Sequence, residues 1–337
     1  MVETSIQLRK PTRERAMNLA IPQDLAPYLK LGTCSWKYDS WRGLIYPSDA
    51  QDLSANYLVE YAKHLGTVEV DQWFWSLFPA GVKLPERSTV KAYAADVPDG
   101  FLFAIKAPNA ITLTHFYSRQ PKRYADYANQ PNKHFLSLDL LKRFLDSLAP
   151  MDTKLGPIMF QFEYLNRKKM PSLQAFLDRL HEFLAKAPKG FRYAIETRNP
   201  NYLTEAFFDF LREHCLGYVF LEGYYMPPIG EVFAKHDPFT SGLCVIRLHG
   251  GDREGIEERT GKLWNEVVEP KPEGLDAAAS IIRAGTSRSL LMLVYANNHF
   301  EGSAPLTLER LLGKLREEPL GPDEKGSRTA QGLSGRA

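Results

Sequence analysis

Seven short apolar runs, each ending in a cluster of ionisable or amide side chains, recur along the whole chain in alternation with segments of helical period. They are LGTCSW from Leu31, TVEVDQW from Thr67, FLFAIKAP from Phe101, PIMFQFEY from Pro157, RYAIETR from Arg192, CVIRLHGG from Cys244 and LMLVYANNH from Leu291. Strands of a parallel sheet are covered on both faces, so they read as nearly continuous apolar stretches, and a parallel barrel gathers its polar groups at their downstream ends. An eighth strand is expected over 216–221. Helical spacing appears at Leu53, Leu58 and Tyr61, at Phe135, Leu138, Leu141 and Leu145, and at Leu173, Phe176, Leu180 and Leu184. Further helices are expected over 204–214, 275–284 and 306–315, the first opened by Thr204 with Glu205 in its first turn and the last by Pro305. Repeated strand and helix in this order predict an α/β fold, a single-domain (βα)8 TIM-like barrel with long strand-to-helix loops. An open doubly wound sheet is the second choice, and no GxGxxG or Walker loop follows an early strand to favour it.

A chain of 337 residues accommodates such a barrel with appendages. The expected layout is an N-terminal extension over 1–29, punctuated by Pro11, Pro22 and Pro27, a barrel over 30–315, and a disordered tail over 316–337 whose Gly, Ser and charge content cannot bury enough surface to offset chain entropy. The net charge of +2 implies no bulk attraction to nucleic acid or to an anionic membrane, and leaves a local basic patch open. Cys34, Cys215 and Cys244 are odd in number and widely spaced, unlike a zinc ribbon or a disulfide scaffold. With no apolar run of about 18 residues, the expectation is a cytoplasmic protein without a membrane partner.

Alternate strand residues share a face, which groups Glu69 with Asp71, Gln161 with Glu163, Glu196 with Arg198, and Arg247 with His249, and sets Lys106 opposite Phe103 and Ile105. Barrel geometry makes these groups converge, the setting in which pKa values are pushed apart for acid and base roles. The competing reading is a salt-bridge network that closes the barrel, with Glu196 paired to Arg198 or Arg247. Glu196 is the first candidate for a general base or metal ligand, Glu69 the second, and His249 the third catalytic candidate. A divalent metal held by His249, Glu69 and Glu196 is chemically sensible, although no spacing such as HExxH marks it. Lys106 and Arg247, with Gly250 and Gly251, suit a phosphate or carboxylate; alternatively Lys106 pairs with Glu69 and the glycines make a turn. Cys34 is a nucleophile or a small buried thiol. His115 and His299 fall just past strand ends, and Asn297 and Asn298 suit binding a polar substrate or holding a turn. The long loops over 37–49, 76–86, 108–133 and 250–272 carry many aromatics, among them Trp41, Trp75, Tyr117, Tyr127 and Trp264, which wall a mouth or pack as a lid.

In order, GTCSWKYDSWRGLIYP, TVEVDQWFW, FLFAIKAPNAITLTH, LGPIMFQFEY, YAIETRNPNY, VIRLHGG and VYANNHFEGSAP resemble the DUF72 (YecE-like) family over about residues 30–315. The resemblance implies a TIM barrel and a family without an established activity. Its polar motif residues fall here on Trp36, Trp41, Glu69, Lys106, Thr114, His115, Gln161, Glu196, Arg198, Arg247, His249, Asn297 and Asn298. Cys34 and Ser35 replace the Ser and Gly of the usual first motif, Asp71 stands where Asn is expected, and Glu163 and Tyr164 replace a proline pair. The expected function is hydrolase or isomerase chemistry on a small polar, anionic or sugar-like ligand, with Glu196 as base or ligand, Glu69 as its partner, and Lys106, Arg247 and His249 holding the anionic group or stabilising developing negative charge. Two other readings stay open. A metal-dependent nucleic-acid enzyme predicts a basic rim and salt-sensitive affinity. A non-catalytic ligand-binding or interaction protein predicts charges that pair among themselves.

Overall fold

Every expected strand run forms a strand. The structure is a computed structural model that describes residues 16–50, 53 and 56–317. The barrel strands are β1 (Leu29–Thr33), β2 (Thr67–Val70), β5 (Leu102–Lys106), β6 (Leu155–Gln161), β7 (Tyr193–Glu196), β8 (Gly217–Gly223), β9 (Leu243–Gly250) and β10 (Leu291–Ala296); a short hairpin, β3 (Leu77–Phe78) with β4 (Gly81–Val82), sits in the loop after β2. They form one eight-stranded sheet in the order β1-β10-β9-β8-β7-β6-β5-β2, every neighbouring pair parallel. Helices alternate with the strands: α1 (Tyr57–Tyr61), α2 (Arg87–Ala95), α3 (Asn109–Thr112), α4 (Leu138–Leu148), α5 (Leu173–Lys186) and α6 (Glu205–Glu213). The series continues with α7 (Ile229–Lys235), α8 (Arg253–Thr260), α9 (Pro272–Ser287), α10 (Asn298–Glu301) and α11 (Ala304–Arg316). This is a (βα)8 TIM-like barrel.

Helix boundaries follow local chemistry. Ser137 and Ser172 cap α4 and α5 by accepting from Leu140 N and Ala175 N, and Asp252 caps α8 by accepting from Gly255 N. Helix α2 gives no periodic signal in sequence because Val90 is its one buried residue.

Two apolar layers result from strand parity. Phe103, Ile105, Ile158, Phe160, Ile195 and Ile246 face outward into the layer beneath the helices. Leu102, Ala104, Met159, Ala194, Val245 and Leu293 belong to a separate buried cluster, which fills the lumen. Continuing that inward parity along each strand leads from this plug to Lys106, Gln161, Glu196 and Arg247.

The two edges, β1 and β2, meet across a seam closed by a side chain. Thr33 N–H donates to the Tyr61 hydroxyl at 2.9 Å, and that hydroxyl donates to the Thr67 carbonyl at 2.9 Å, so the phenol stands where a ladder hydrogen bond would run. Gly32 permits the approach, since a Cβ there would lie 2.1 Å from Thr67 O.

At the N-terminal end of the barrel, Asn18 N–H donates to Glu309, and Arg316 donates to the carbonyls of Asn18 and Ala20, tying residues 16–20 to α11. The remainder of the expected extension, residues 1–15, and the expected tail from 318 onward lie outside the described residues. No helix among the described residues is long and apolar enough to cross a membrane.

Candidate functional site

Arg247 is the centre of the polar layer. It projects from β9 with no exposed surface and uses all five guanidinium N–H groups. Nε donates to Glu69 Oε2 at 2.6 Å, Nη2 to Glu69 Oε1 at 2.8 Å and to His249 Nε2 at 2.6 Å, and Nη1 to Gln161 Oε1 at 3.2 Å and to Glu196 Oε2. Four strands thus meet at one guanidinium. Lys106 Nζ lies 3.1 Å from Glu69 Oε1, and Arg198 Nε donates to Glu196 Oε1 at 2.7 Å.

Burial alone would raise the carboxyl pKa values, but the cations outweigh it. Arg247 and Lys106 hold Glu69 below its ordinary value, and Arg247, Arg198 and Lys106 bring Glu196 down to about 2. His249 goes the other way for a base: burial, with Arg247 and Lys106 nearby, keeps the imidazole neutral far below its ordinary pKa. Because its Nε2 accepts from Arg247, the proton sits on Nδ1, which faces the Tyr224 hydroxyl at 3.3 Å. The Cys34 sulfur lies 3.4 Å from His249 Nε2 and 3.8 Å from Glu69 Oε2, and burial first, then the Glu69 charge, hold it as a thiol.

Asp71 differs from its neighbours. It lies just past β2, half-buried, and burial pushes its carboxyl above the ordinary value against the pull of Lys106. Arg198 likewise keeps its Nη groups without a hydrogen-bond partner among the described residues, its guanidinium stacked 4.3 Å over the Tyr224 ring. Tyr224 holds a left-handed backbone, φ 53°.

The other expected residues fall outside this cluster. Trp36 packs edge-on against Tyr93, and Trp41 is fully buried and stacked on Tyr46, so both are wall material. His115 bonds through Nδ1 to Thr114 at 3.0 Å. Asn297 caps α10 by accepting from His299 N, and Asn298 Oδ1 accepts from Ala304 N, so both hold the turn after β10. Gly250, at φ 76°, passes beneath that turn, where a Cβ would lie 2.5 Å from His299 O.

Cys34, Glu69 and His249 place potential metal-ligand atoms within 4.8 Å of one another. They do not fit an added divalent ion. Glu69 is bound by Arg247, the His249 Nε2 lone pair is taken by the same guanidinium, and Glu196 is shared between two arginines. The guanidinium fills the position between the carboxylates that an ion would need.

The profile described as "Protein of unknown function DUF72" matches residues 30–331. The chain belongs to the DUF72 family. A DUF72 family protein from Enterococcus faecalis V583 has a similar crystal structure, with a TM-score of 0.57 and 21% identity over 88% of this chain and 99% of that one. A DUF72 family protein from Thermotoga maritima MSB8 gives a TM-score of 0.58 and 18% identity over 86% of this chain and 100% of that one. At these identities the likeness concerns the DUF72 fold. None of the curated proteins matches the chain.

Tyr224 is the residue that sequence reasoning left out of the site, and Asp71 was placed there without a role. Strand parity grouped Asp71 with Glu69 and so carried a signal; Tyr224 carried none, since its position depends on the turn after β8.

Proposed function

We propose that this DUF72 protein is an enzyme that binds a small polar, sugar-like substrate through an anionic group and acts on it by acid and base chemistry of the hydrolase or isomerase type. One contrast supports the reading. Arg247 has spent every donor on the barrel wall, whereas Arg198 keeps donors free and Lys106 has Glu69 as its one ion-pair partner among the described residues. Lys106 also acts on Asp71, a carboxyl that burial pushes toward the range in which a proton carrier works.

In this scheme Lys106 and Arg198 hold the phosphate or carboxylate of the substrate, with Arg198 presenting a planar fork. Asp71 takes and returns the proton. His249, through its Nδ1–H, orients the Tyr224 hydroxyl toward the bound ligand. Glu69, Glu196 and Gln161 act as positioning residues that fix Arg247 and, through Glu196, Arg198. A carboxylate with a pKa of about 2 is a weak base near neutral pH, which assigns Glu196 to this supporting role.

The test is thermal stabilisation and product chromatography with a panel of sugar phosphates and hydroxycarboxylates. The expected result is stabilisation by a subset of anions, lost in Arg198→Gln, with turnover lost in Asp71→Asn while binding remains. If no anion stabilises the parent, or if Arg198→Gln responds like the parent, the reading fails. Self-pairing of Glu69, Glu196 and Arg247 also favours a non-catalytic binding protein, and binding without turnover across the panel would select it.

A further inference from the structure

The rim of the mouth divides into two halves of opposite character. On the loops after β5 and β6, residues 107–137 and 162–172, six exposed cations (Arg119, Lys122, Arg123, Lys133, Arg167 and Lys168) stand against one exposed carboxylate, Asp126. The remaining acid there, Glu163, is bound by Lys169. None of the six cations has an ion-pair partner among the described residues. Across the mouth, residues 251–271 after β9 carry six acids, and each of their four cations is already engaged: Arg253 and Lys262 by Glu257, Arg259 and Lys271 by Glu269.

Five of the six large exposed rings among the described residues follow the basic half, the sixth being Tyr225 on the turn after β8. Trp75 is 60% exposed, Tyr164 59%, Phe78 47%, Tyr127 41% and Tyr117 38%, all on loops after β2, β5 and β6. Trp75 and Tyr117 lie 5.9 Å apart, Phe116 and Tyr127 5.5 Å apart. A groove of about 640 Å³ runs between the hairpin and the long loop, lined by Phe78, Phe116, Tyr127, Lys133 and His134. Exposing five large rings costs solvation free energy that one or two scattered side chains would not, and an apolar surface of this kind marks an interaction site.

We propose that this arc binds single-stranded nucleic acid. Unpaired cations alone would suit any polyanion, but the rings select for one with flat groups: a single strand offers a phosphate at every residue and a π-face at every base, whereas an acidic peptide gives the rings nothing to stack. The phosphates lie along Arg119, Lys122, Arg123, Arg167 and Lys168, and the bases stack on Trp75, Tyr127 and Tyr164. A net charge of +2 conceals the surface because it sums this half with the net-acidic opposite half and the rest of the chain. The inference is independent of the catalytic reading, since none of these residues belongs to the Arg247 cluster.

The experiment is fluorescence anisotropy of the full chain with fluorescein-labelled oligodeoxythymidine of about 15 nucleotides, titrated across salt concentrations. Binding is expected to weaken with salt, with a slope of log K against log salt of about −3.5 if these five cations meet phosphates. Lys122→Glu with Arg167→Glu should weaken binding at least about tenfold and flatten the slope by about 1.4. Tyr127→Ala and Trp75→Ala should each weaken binding about fivefold or more with the slope unchanged, and Tyr127→Phe should retain affinity. Lys186→Glu, at the far end of α5, should behave as the parent. No salt-dependent binding, displacement of the oligonucleotide by polyglutamate at equal charge, or full affinity in both ring variants would overturn the proposal.

Discussion

Two regions of the mouth use the same residue types to opposite ends. In the Arg247 cluster, two carboxylates, a guanidinium and an imidazole are buried and, with the half-buried Gln161 amide, mutually satisfied, so their charges hold geometry. A few ångströms along, Asp71, Lys106 and Arg198 are partly solvated or incompletely paired. A charged side chain at a strand end is therefore not functional or structural by type. Its remaining hydrogen-bond capacity decides.

The contrast is broken most severely by removing the guanidinium. Arg247→Met strands two buried carboxylates and is expected to cost about 4 kcal/mol or more, read as a shift in urea denaturation. Arg198→Gln should cost less, about 2 kcal/mol, because Glu196 loses one charged hydrogen bond and keeps Arg247. Adding Glu69→Gln and Glu196→Gln to Arg247→Met should restore part of the loss, and a strictly additive result would refute the mutual dependence.

Acid should unravel the closed region first. Glu196 has its pKa depressed from 4.5 to about 2, so its contribution is fully present above the unfolded value and is lost as pH falls toward the folded one. The loss amounts to something on the order of 3 kcal/mol, and Glu196→Gln should flatten the stability profile in that window. His249 acts in the same direction at higher pH: neutral in the fold, it takes up a proton on unfolding below its ordinary 6.5, so stability falls with pH there and His249→Asn should remove that component.

Smaller effects refine the picture. Tyr61→Phe deletes the hydroxyl that bridges the seam and should cost about 2 kcal/mol by thermal melting. Asp71→Asn should do the reverse at neutral pH. Its carboxyl has a raised folded pKa, so the ionised form is penalised, and the amide should raise Tm by about 2 °C at pH 7, with the gain vanishing in acid.

The barrel was legible because parallel strands carry long apolar runs, and all eight were found, including the one over 216–221. The convergence of Glu69, Gln161, Glu196, Arg247 and His249 followed from strand parity alone. Three things did not. Trp36 and Trp41 could not be told apart from mouth residues, because whether an aromatic faces in or out of a loop depends on packing that has no period. Asn297 and Asn298 turned out to be turn residues, a role chemically indistinguishable from ligand binding in one dimension. The division between paired and unpaired charge needs distances, and a net charge sums over both halves of the rim.

The central claim, that the open carboxyl is poised for proton transfer while the closed one is locked, is tested most directly by NMR titration of the Asp71 and Glu196 side-chain carboxyl carbons in ¹³C-labelled protein. Asp71 should titrate above the ordinary aspartate range and Glu196 at about 2. If both titrate together in the ordinary carboxylate range, the two regions are not distinct, and the roles given to Asp71 and Glu196 fall with that distinction.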